Sequence, residues 1–498
     1  MALSADDTTA AAAALTAGNA PPSTLSAAAT GTETSVSTPV GPSPAGTPLP
    51  ALPGAVTRAP AGIGPGAPFD VAAYFAAPPL ELNAAPLYLD ALLEFDPGMA
   101  VCFPENAEIA RRKQLADARY RVLRDQSQAV MNNPASVAGA AIDRLVTDLE
   151  VGMQKVEEAQ RRPRCVFQSG FDDTSLLPHA QAAREVARLA VLRTRRNLDR
   201  GNVEQPLRDL GVVFRLARDL RPRGASICQV VAGALTSVGY VHIIRPLLAS
   251  PKFRERQASQ LLEILVEHEA ASINGYEEGV RFDYVCMRVA MNSAIKDPRG
   301  SIARISHMYN SSGKAFVGEN DPRVRDWENE IKKMTPARID DVNTRVNQYF
   351  QDLLALKNAP VSQWLGREPN PQRINDGSFY SKIPALLMPT ISTLAESQAR
   401  IEVQVRAAEC LIAIKLWRYR TNELPTDLAA VTKAAGLPRV PLDEYSGQPL
   451  RMTLVDGEPV VYSVGKDGRD DGGRIDSDFD RKPGDHLYRL PAIEQGKR

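Results

Sequence analysis

The chain has 498 residues, of which 44% are hydrophobic, and its 59 lysines and arginines balance its 59 aspartates and glutamates. This length predicts two or three domains, because a domain commonly holds about 100–200 residues. The balanced charge provides no global field for nucleic acid, and a 6% aromatic share leaves few surfaces for base stacking, so we expect no nucleic-acid partner. The five cysteines are widely separated, odd in number and include no C-x-x-C pair, which argues against a disulfide framework.

The first stretch, residues 1–68, consists almost entirely of Ala, Thr, Ser, Pro and Gly. Such a composition cannot bury enough apolar surface to offset the entropy of ordering, so it predicts a disordered tail or linker. No basic region precedes its short alanine run, which is therefore not typical of a signal peptide. We expect a periplasmic or cell-envelope location if an export signal lies upstream of this sequence, and a cytoplasmic location otherwise.

Helical periodicity dominates the next region, residues 69–390. The segment Val203–Leu220 carries two apolar stripes, formed by Leu207, Leu210, Phe214 and Ala217 and by Val213, Leu216 and Leu220. A helix with two apolar faces is expected in the centre of a helical assembly. The pattern predicts a mainly α protein, with a multi-helix bundle or an irregular α-solenoid in this region.

One segment of that region is long enough to span a bilayer. Gly224–Ile244 contains no formally charged residue when histidine is counted as neutral. Its glutamine, threonine, serine, tyrosine and histidine make it only moderately apolar, which favours a buried core helix over a membrane span. We therefore expect no integral membrane span in this chain.

The last region, residues 391–498, predicts a small α+β module. A helix from about Ser392 carries one apolar stripe and many charged residues, which indicates a soluble spine rather than a membrane anchor. Two strand-like runs follow at Pro449–Leu454 and Pro459–Val464. The pair Asp456-Gly457 between them is a strong signal for a β-hairpin.

An aspartate- and glycine-rich stretch follows the hairpin. Gly465–Asp480 holds four glycines and six aspartates, so it can bury little but can turn tightly around a cation. Calcium takes roughly six to eight oxygen ligands from carboxylates and main-chain carbonyls, which this composition can provide. The alternative is a solvated acidic loop without metal. The EF-hand pattern is absent, because no glutamate closes a twelve-residue loop from Asp467 or Asp470.

Three sequence blocks in this region resemble the globular part of the major pseudopilin of type II secretion systems, a protein G-like family. They are WRYRTNELPTDL at Trp417–Leu428, PLDEYSGQP at Pro441–Pro449 and YSVGKDG at Tyr462–Gly468. In that family the terminal loop binds calcium. The resemblance therefore implies a calcium site here, with these ligands: the Val464 carbonyl and the side chains of Asp467, Asp476 and Asp478, with Asp470 and Asp471 as substitutes.

The whole chain also resembles, more loosely, a group of uncharacterised planctomycete-type bacterial proteins. In that group a phrase like NAAPLYLDAL, found here at Asn83–Leu92, opens a helical region and a pseudopilin-like tail closes the chain. This resemblance implies architecture alone and assigns no catalytic residue.

Three functional hypotheses follow. The first is a non-enzymatic structural or interaction protein of the cell envelope, with a calcium-binding C-terminal module and a protein partner. The second is an intracellular helical interaction scaffold without metal. The third is an enzyme with its site inside the helical region, for which the polar residues Gln229, His242 and Glu267 are the motivation. The sequence implies no oligomeric state.

Overall fold

The fold is mainly α, as predicted, with one small antiparallel sheet near the C-terminal end. The structure is a computed structural model that describes residues 63, 66–76, 78–133, 139–167, 177–302, 322–364, 367, 369–387, 391–473 and 484–492. The predicted tail at residues 1–68 lies almost wholly outside these ranges. The domain boundaries at 68 and 390 stay predictions.

Sixteen α-helices are found in the described ranges, and we number them in chain order. The first eight are α1 Val71–Phe75, α2 Ala85–Leu92, α3 Ala107–Asn132, α4 Gly139–Asp148, α5 Glu150–Gln160, α6 Pro178–Asp199, α7 Glu204–Asp219 and α8 Ser226–Gly239. The remainder are α9 Arg245–Ala249, α10 Glu255–Ala271, α11 Gly275–Lys296, α12 Pro322–Lys332, α13 Pro336–Ala355, α14 Phe379–Leu387, α15 Ile391–Thr421 and α16 Leu428–Ala434. A π-helical turn at Tyr240–Ile244 joins α8 to α9.

Helices α7 and α8 lie in the centre of the bundle. Both predicted stripes of α7 are buried, because this helix packs between α6, α8 and α10. Among the described residues, one helical run, Ser226–Ala249, is long and apolar enough to cross a membrane, but most of its apolar window is buried inside the protein. Helix α8 within this run contacts α6, α7, α11 and α15, so it is a core helix, as the sequence predicts.

Helix α15 connects the bundle to the C-terminal sheet. It packs against α8 and α10 on the bundle side and against α16 and the sheet strands on the other. The prediction of a single apolar stripe was therefore wrong: residues on other faces are also fully buried, including Val403, Ala407, Leu411 and Ile414. A helix packed between two layers needs an apolar surface on both sides.

The sheet has three strands, β1 Arg451–Val455, β2 Glu458–Ser463 and β3 His486–Arg489, in the order β1-β2-β3. The first two form the predicted hairpin, in which Val455 pairs with Glu458. Its two turn residues, Asp456 and Gly457, have φ angles of 54° and 78°, as a type I′ turn requires. Strand β3 was not predicted, and its pairing with β2 brings the chain after the acidic loop back to the loop's start.

Two apolar clusters fill the interior. The larger extends without interruption from α2 through α6, α7, α8, α10 and α15 to residues of β2 and β3. The smaller includes α11, α13 and α14 together with Leu394 and Ala395 at the beginning of α15. The spine helix thus contributes to both clusters, and the C-terminal module shares its core with the bundle.

Candidate functional site

The turn before β1 is organised by one buried carboxylate. Asp443 is fully buried, and it accepts hydrogen bonds from the Ser463 hydroxyl at 2.8 Å and the Val464 amide at 3.1 Å. It also accepts from the Tyr445 amide at 3.0 Å and the Ser446 hydroxyl at 3.0 Å. Asp443 therefore fixes the end of β2, where the acidic loop begins.

Glycines allow the loop to fold closely against the sheet. Gly465 and Gly473 have φ angles of 65° and 67°, in the region that side chains disfavour. A Cβ atom on Gly465 would lie 2.5 Å from the Gly484 carbonyl oxygen, and one on Gly473 would lie 2.7 Å from a methyl carbon of Thr453. Both positions require glycine, so the loop is built for close backbone packing.

A second buried carboxylate, Asp485, holds the far side of the loop. It is fully buried and accepts hydrogen bonds from the Gly473 amide at 2.7 Å and the Asp471 amide at 3.4 Å. Burial raises the pKa of Asp485 above its usual value, these amides lower it, and the negative charges of Asp470 and Asp471 raise it again. Carboxylates thus concentrate at this end of the loop.

The predicted metal ligands have different surroundings. Val464 is buried at the start of the loop, whereas Asp467 is exposed and its Oδ1 accepts from the Arg469 amide at 3.1 Å. Asp471 is half-buried. Asp476 and Asp478 lie outside the described residues.

Asp470 already has protein partners. Its carboxylate lies 3.3 Å from Arg451 Nε and accepts the Tyr462 hydroxyl hydrogen bond, also at 3.3 Å. Within the described ranges, no group of three or more His, Cys, Asp or Glu side chains is arranged to hold a metal ion. A complete calcium shell would therefore need ligands from the part of the loop at residues 474–480.

A cavity of about 510 Å³ lies at the junction between the bundle and the C-terminal module. We call it the junction cavity. Its wall is formed by α15, by the end of α10 and the segment after it, by residues 357–360, and by the turn at Leu442–Gly447. Asp443, whose carboxylate holds that turn, is among the lining residues.

Charged groups face the junction cavity. Arg406 on α15 donates through Nε to Glu269 at 2.7 Å and through Nη1 to the Leu442 carbonyl at 3.0 Å and to the Glu444 carboxylate. One turn earlier on α15, Glu402 also lines the cavity. Burial, followed by the negative charge of Glu444, raises the pKa of Glu402 to about 7.

His268 on α10 lines the same cavity and is 5% exposed. Its ring lies against the Phe214 ring, with centroids 4.3 Å apart. Burial, together with the positive charges of Arg221 and Arg218, lowers the pKa of His268 to about 3, so the imidazole is neutral at physiological pH. Its Nδ1 atom has no hydrogen-bond partner among the described residues.

The three residues that motivated the enzyme hypothesis do not meet. Gln229 is fully buried and donates from Nε2 to the Arg221 and Gly224 carbonyls. His242 lies thirteen positions further along the same helical run, about 20 Å away at 1.5 Å per residue. Glu267 has 73% of its side chain exposed and pairs with Arg218. The structure therefore provides no common site for them.

The residues of the loop and the junction cavity that sequence reasoning did not select are Asp443, Asp485, Glu402 and Arg406. A signal for the last two was present, because they are one helical turn apart in a segment that is apolar on several faces. The block PLDEYSGQP placed Asp443 in a turn. No such signal marks Asp485, since its role depends on the pairing of β3 with β2.

Comparisons with known proteins identify no relative: no protein-family model, curated protein or solved structure gives a significant match to this chain. The pseudopilin resemblance therefore stays a prediction.

Proposed function

We propose that this chain is a non-enzymatic structural or interaction protein of the cell envelope, with a C-terminal module that binds one calcium ion in its Asp/Gly loop. The observation that supports the proposal best is the surroundings of Asp485. Its buried carboxylate accepts hydrogen bonds from two loop amides, and Asp470 and Asp471 add negative charge beside it. A cation at this end of the loop would offset that repulsion.

The proposed ligands are oxygen atoms of the loop itself. The Val464 carbonyl and the Asp467 and Asp471 carboxylates are the ligands that the described residues offer, and Asp476 and Asp478 complete the set. Asp470 joins them by exchanging its contact with Arg451 for the ion. Oxygen ligands in a flexible shell suit calcium better than magnesium, which requires a strict octahedron.

The proposed role of the ion is to stiffen the connection between the module and the helical region. Lys466 in the loop donates to Glu396 on α15 at 2.6 Å, so the loop contacts the spine helix. Calcium sites of extracellular modules have dissociation constants of about 10⁻⁴–10⁻³ M, which suits a calcium-rich compartment. A rigid module of this kind presents a constant surface to a protein partner.

Thermal unfolding of the full chain tests the proposal. With a Kd of about 10⁻⁴ M, about 10 mM calcium is 100 times Kd and stabilises the folded state by about 2.7 kcal/mol. We expect the midpoint of wild type to rise with calcium and that of Asp467→Asn to stay constant. Asp456→Asn is the matched control, because it makes the same change in the hairpin turn, where asparagine tolerates a φ angle of 54°. A midpoint in wild type that ignores calcium would favour the scaffold without metal.

A further inference from the structure

We propose that the junction cavity binds a small organic cation, an ammonium group on a compact apolar body, with the Glu402 carboxylate as its counter-ion. This site is separate from the calcium loop and would extend the proposed structural role to ligand binding.

The cavity wall carries more negative than positive groups near Arg406. Glu269, Glu402 and Glu444 all face Arg406. The Nε and Nη1 atoms of Arg406 already donate to Glu269, to Glu444 and to a carbonyl. Among the described residues, no donor forms a hydrogen bond with the Glu402 carboxylate, which leaves that side chain as the one available to a ligand.

The other cations of the wall do not remove this excess of negative charge. Lys357 donates to Glu277 at 2.8 Å, outside the cavity lining. The Arg221 guanidinium is buried and donates to Gln398 at 3.0 Å, and its charge acts on Glu402 only through space. A carboxylate in this position is stabilised by a cation that enters the cavity, because opposite charges attract more strongly in a partly enclosed site than in bulk water.

The junction cavity has the size and the partly apolar wall of a small-molecule site. A volume of about 510 Å³ falls in the range of roughly 300–1,000 Å³ that is typical of small-molecule sites. Apolar side chains surround the charged groups on several sides: Ile273, Pro360, Ile401, Val405 and Leu442. An apolar wall with one available carboxylate fits an amine with a ring or a short alkyl body better than it fits a hydrated metal ion.

His268 provides an independent observation. Its side chain is nineteen-twentieths buried in the cavity wall, and its Nδ1 has no hydrogen-bond partner among the described residues. An unsatisfied buried nitrogen costs free energy of about 1–3 kcal/mol. The neutral imidazole can accept a hydrogen bond. Because the Nδ1 atom is itself covered, an N–H donor on a ligand would reach it only after a rotation of the ring.

Calorimetric titration of the full chain with benzylammonium tests the proposal, with benzyl alcohol and benzoate as neutral and anionic ligands of similar shape. Of these three compounds, we expect only benzylammonium to bind wild type. Glu402→Gln should weaken its binding at least tenfold, because the amide keeps the shape and removes the charge. Glu409→Gln is the matched control, since Glu409 lies on the same helix but outside the cavity lining, and it should bind within twofold of wild type.

The pH dependence provides a second readout. The groups that face Glu402 are Arg406 on α15, Glu269 and His268 on α10, Arg221 after α7, and Glu444 in the turn. Ionisation of Glu402 should strengthen binding of benzylammonium between pH 6 and pH 8 in wild type, and Glu402→Gln should lose this dependence.

Stronger binding of benzoate, no binding of benzylammonium, or equal binding by Glu402→Gln would each overturn the proposal. The titration is performed with and without calcium. Binding of benzylammonium is expected in both conditions, so a failure of the calcium proposal would not change this result.

Discussion

The Asp443 side chain connects the turn before β1 to the end of β2, because four donors from these two segments form hydrogen bonds with one fully buried carboxylate. Asp443→Ala would leave the Tyr445 and Val464 amides without this acceptor. We expect the free energy of unfolding to fall by about 2–6 kcal/mol, at about 1–3 kcal/mol for each of the two unsatisfied amides. Urea denaturation measures this change. Glu458→Ala removes an exposed partner of Arg418 and should cost less than about 1 kcal/mol; equal losses in both variants would contradict the assigned role of Asp443.

Glu409 on α15 predicts a pH dependence of stability. It is buried, and burial, followed by the negative charge of Glu269, raises its pKa to about 8. The pKa of this carboxyl is higher in the folded state than in the unfolded state. Its contribution to stability is therefore complete below the unfolded pKa and is lost as pH rises toward 8. Glu409→Gln should therefore be more stable than wild type at pH 8, by on the order of 1–4 kcal/mol.

The same comparison at pH 5 provides the control for Glu409→Gln, because the carboxyl is then protonated in the folded state and resembles the amide. We expect the difference in the free energy of unfolding to shrink there to a small value. A difference that stays constant between pH 5 and pH 8 would show that the effect of the substitution is not the removal of a titrating group.

For pairs of elements, the contact between α7 and α8 depends on a glycine. A Cβ atom on Gly239 of α8 would lie 2.6 Å from Cε1 of the rigid Phe214 ring on α7, whereas one on Gly211 of α7 would meet nothing within 4 Å. Gly239→Ala should lower the free energy of unfolding by about 1 kcal/mol, because an overpacking cost of about 1–3 kcal/mol exceeds a helix-propensity gain of about 1 kcal/mol. Gly211→Ala should raise it by about 0.5–1 kcal/mol. Chemical denaturation measures the change in the free energy of unfolding of each variant. Changes of the same sign in both variants would contradict this packing.

The elements also show what the sequence could predict. Hairpin β1-β2 was predictable because Asp456-Gly457 is a local turn signal, and the buried helices α7 and α8 were predictable from their apolar pattern. Strand β3 has only four residues and no alternating pattern of sufficient length, and its pairing with β2 depends on contacts distant in sequence. The junction cavity was not predictable for the same reason, since Glu269, Glu402 and Glu444 come from separate parts of the chain.

For the whole molecule, the shared core predicts one cooperative unfolding transition. The larger apolar cluster extends from α2 to β3, so the C-terminal module has no separate interior. We expect the loss of helix, measured by circular dichroism, to coincide with the change in fluorescence of the tryptophans, which include Trp417 on α15 and Trp364 in the smaller cluster. Two separated transitions would indicate that the module and the bundle unfold independently.

The most direct measurement for the central proposal is calorimetric titration of calcium into the full chain. We expect one calcium ion to bind each chain in wild type and in Asp456→Asn, and Asp467→Asn to lose that binding. The absence of binding heat in wild type at millimolar calcium, together with an unchanged unfolding midpoint, would contradict the calcium site and leave the acidic loop as ordinary protein surface.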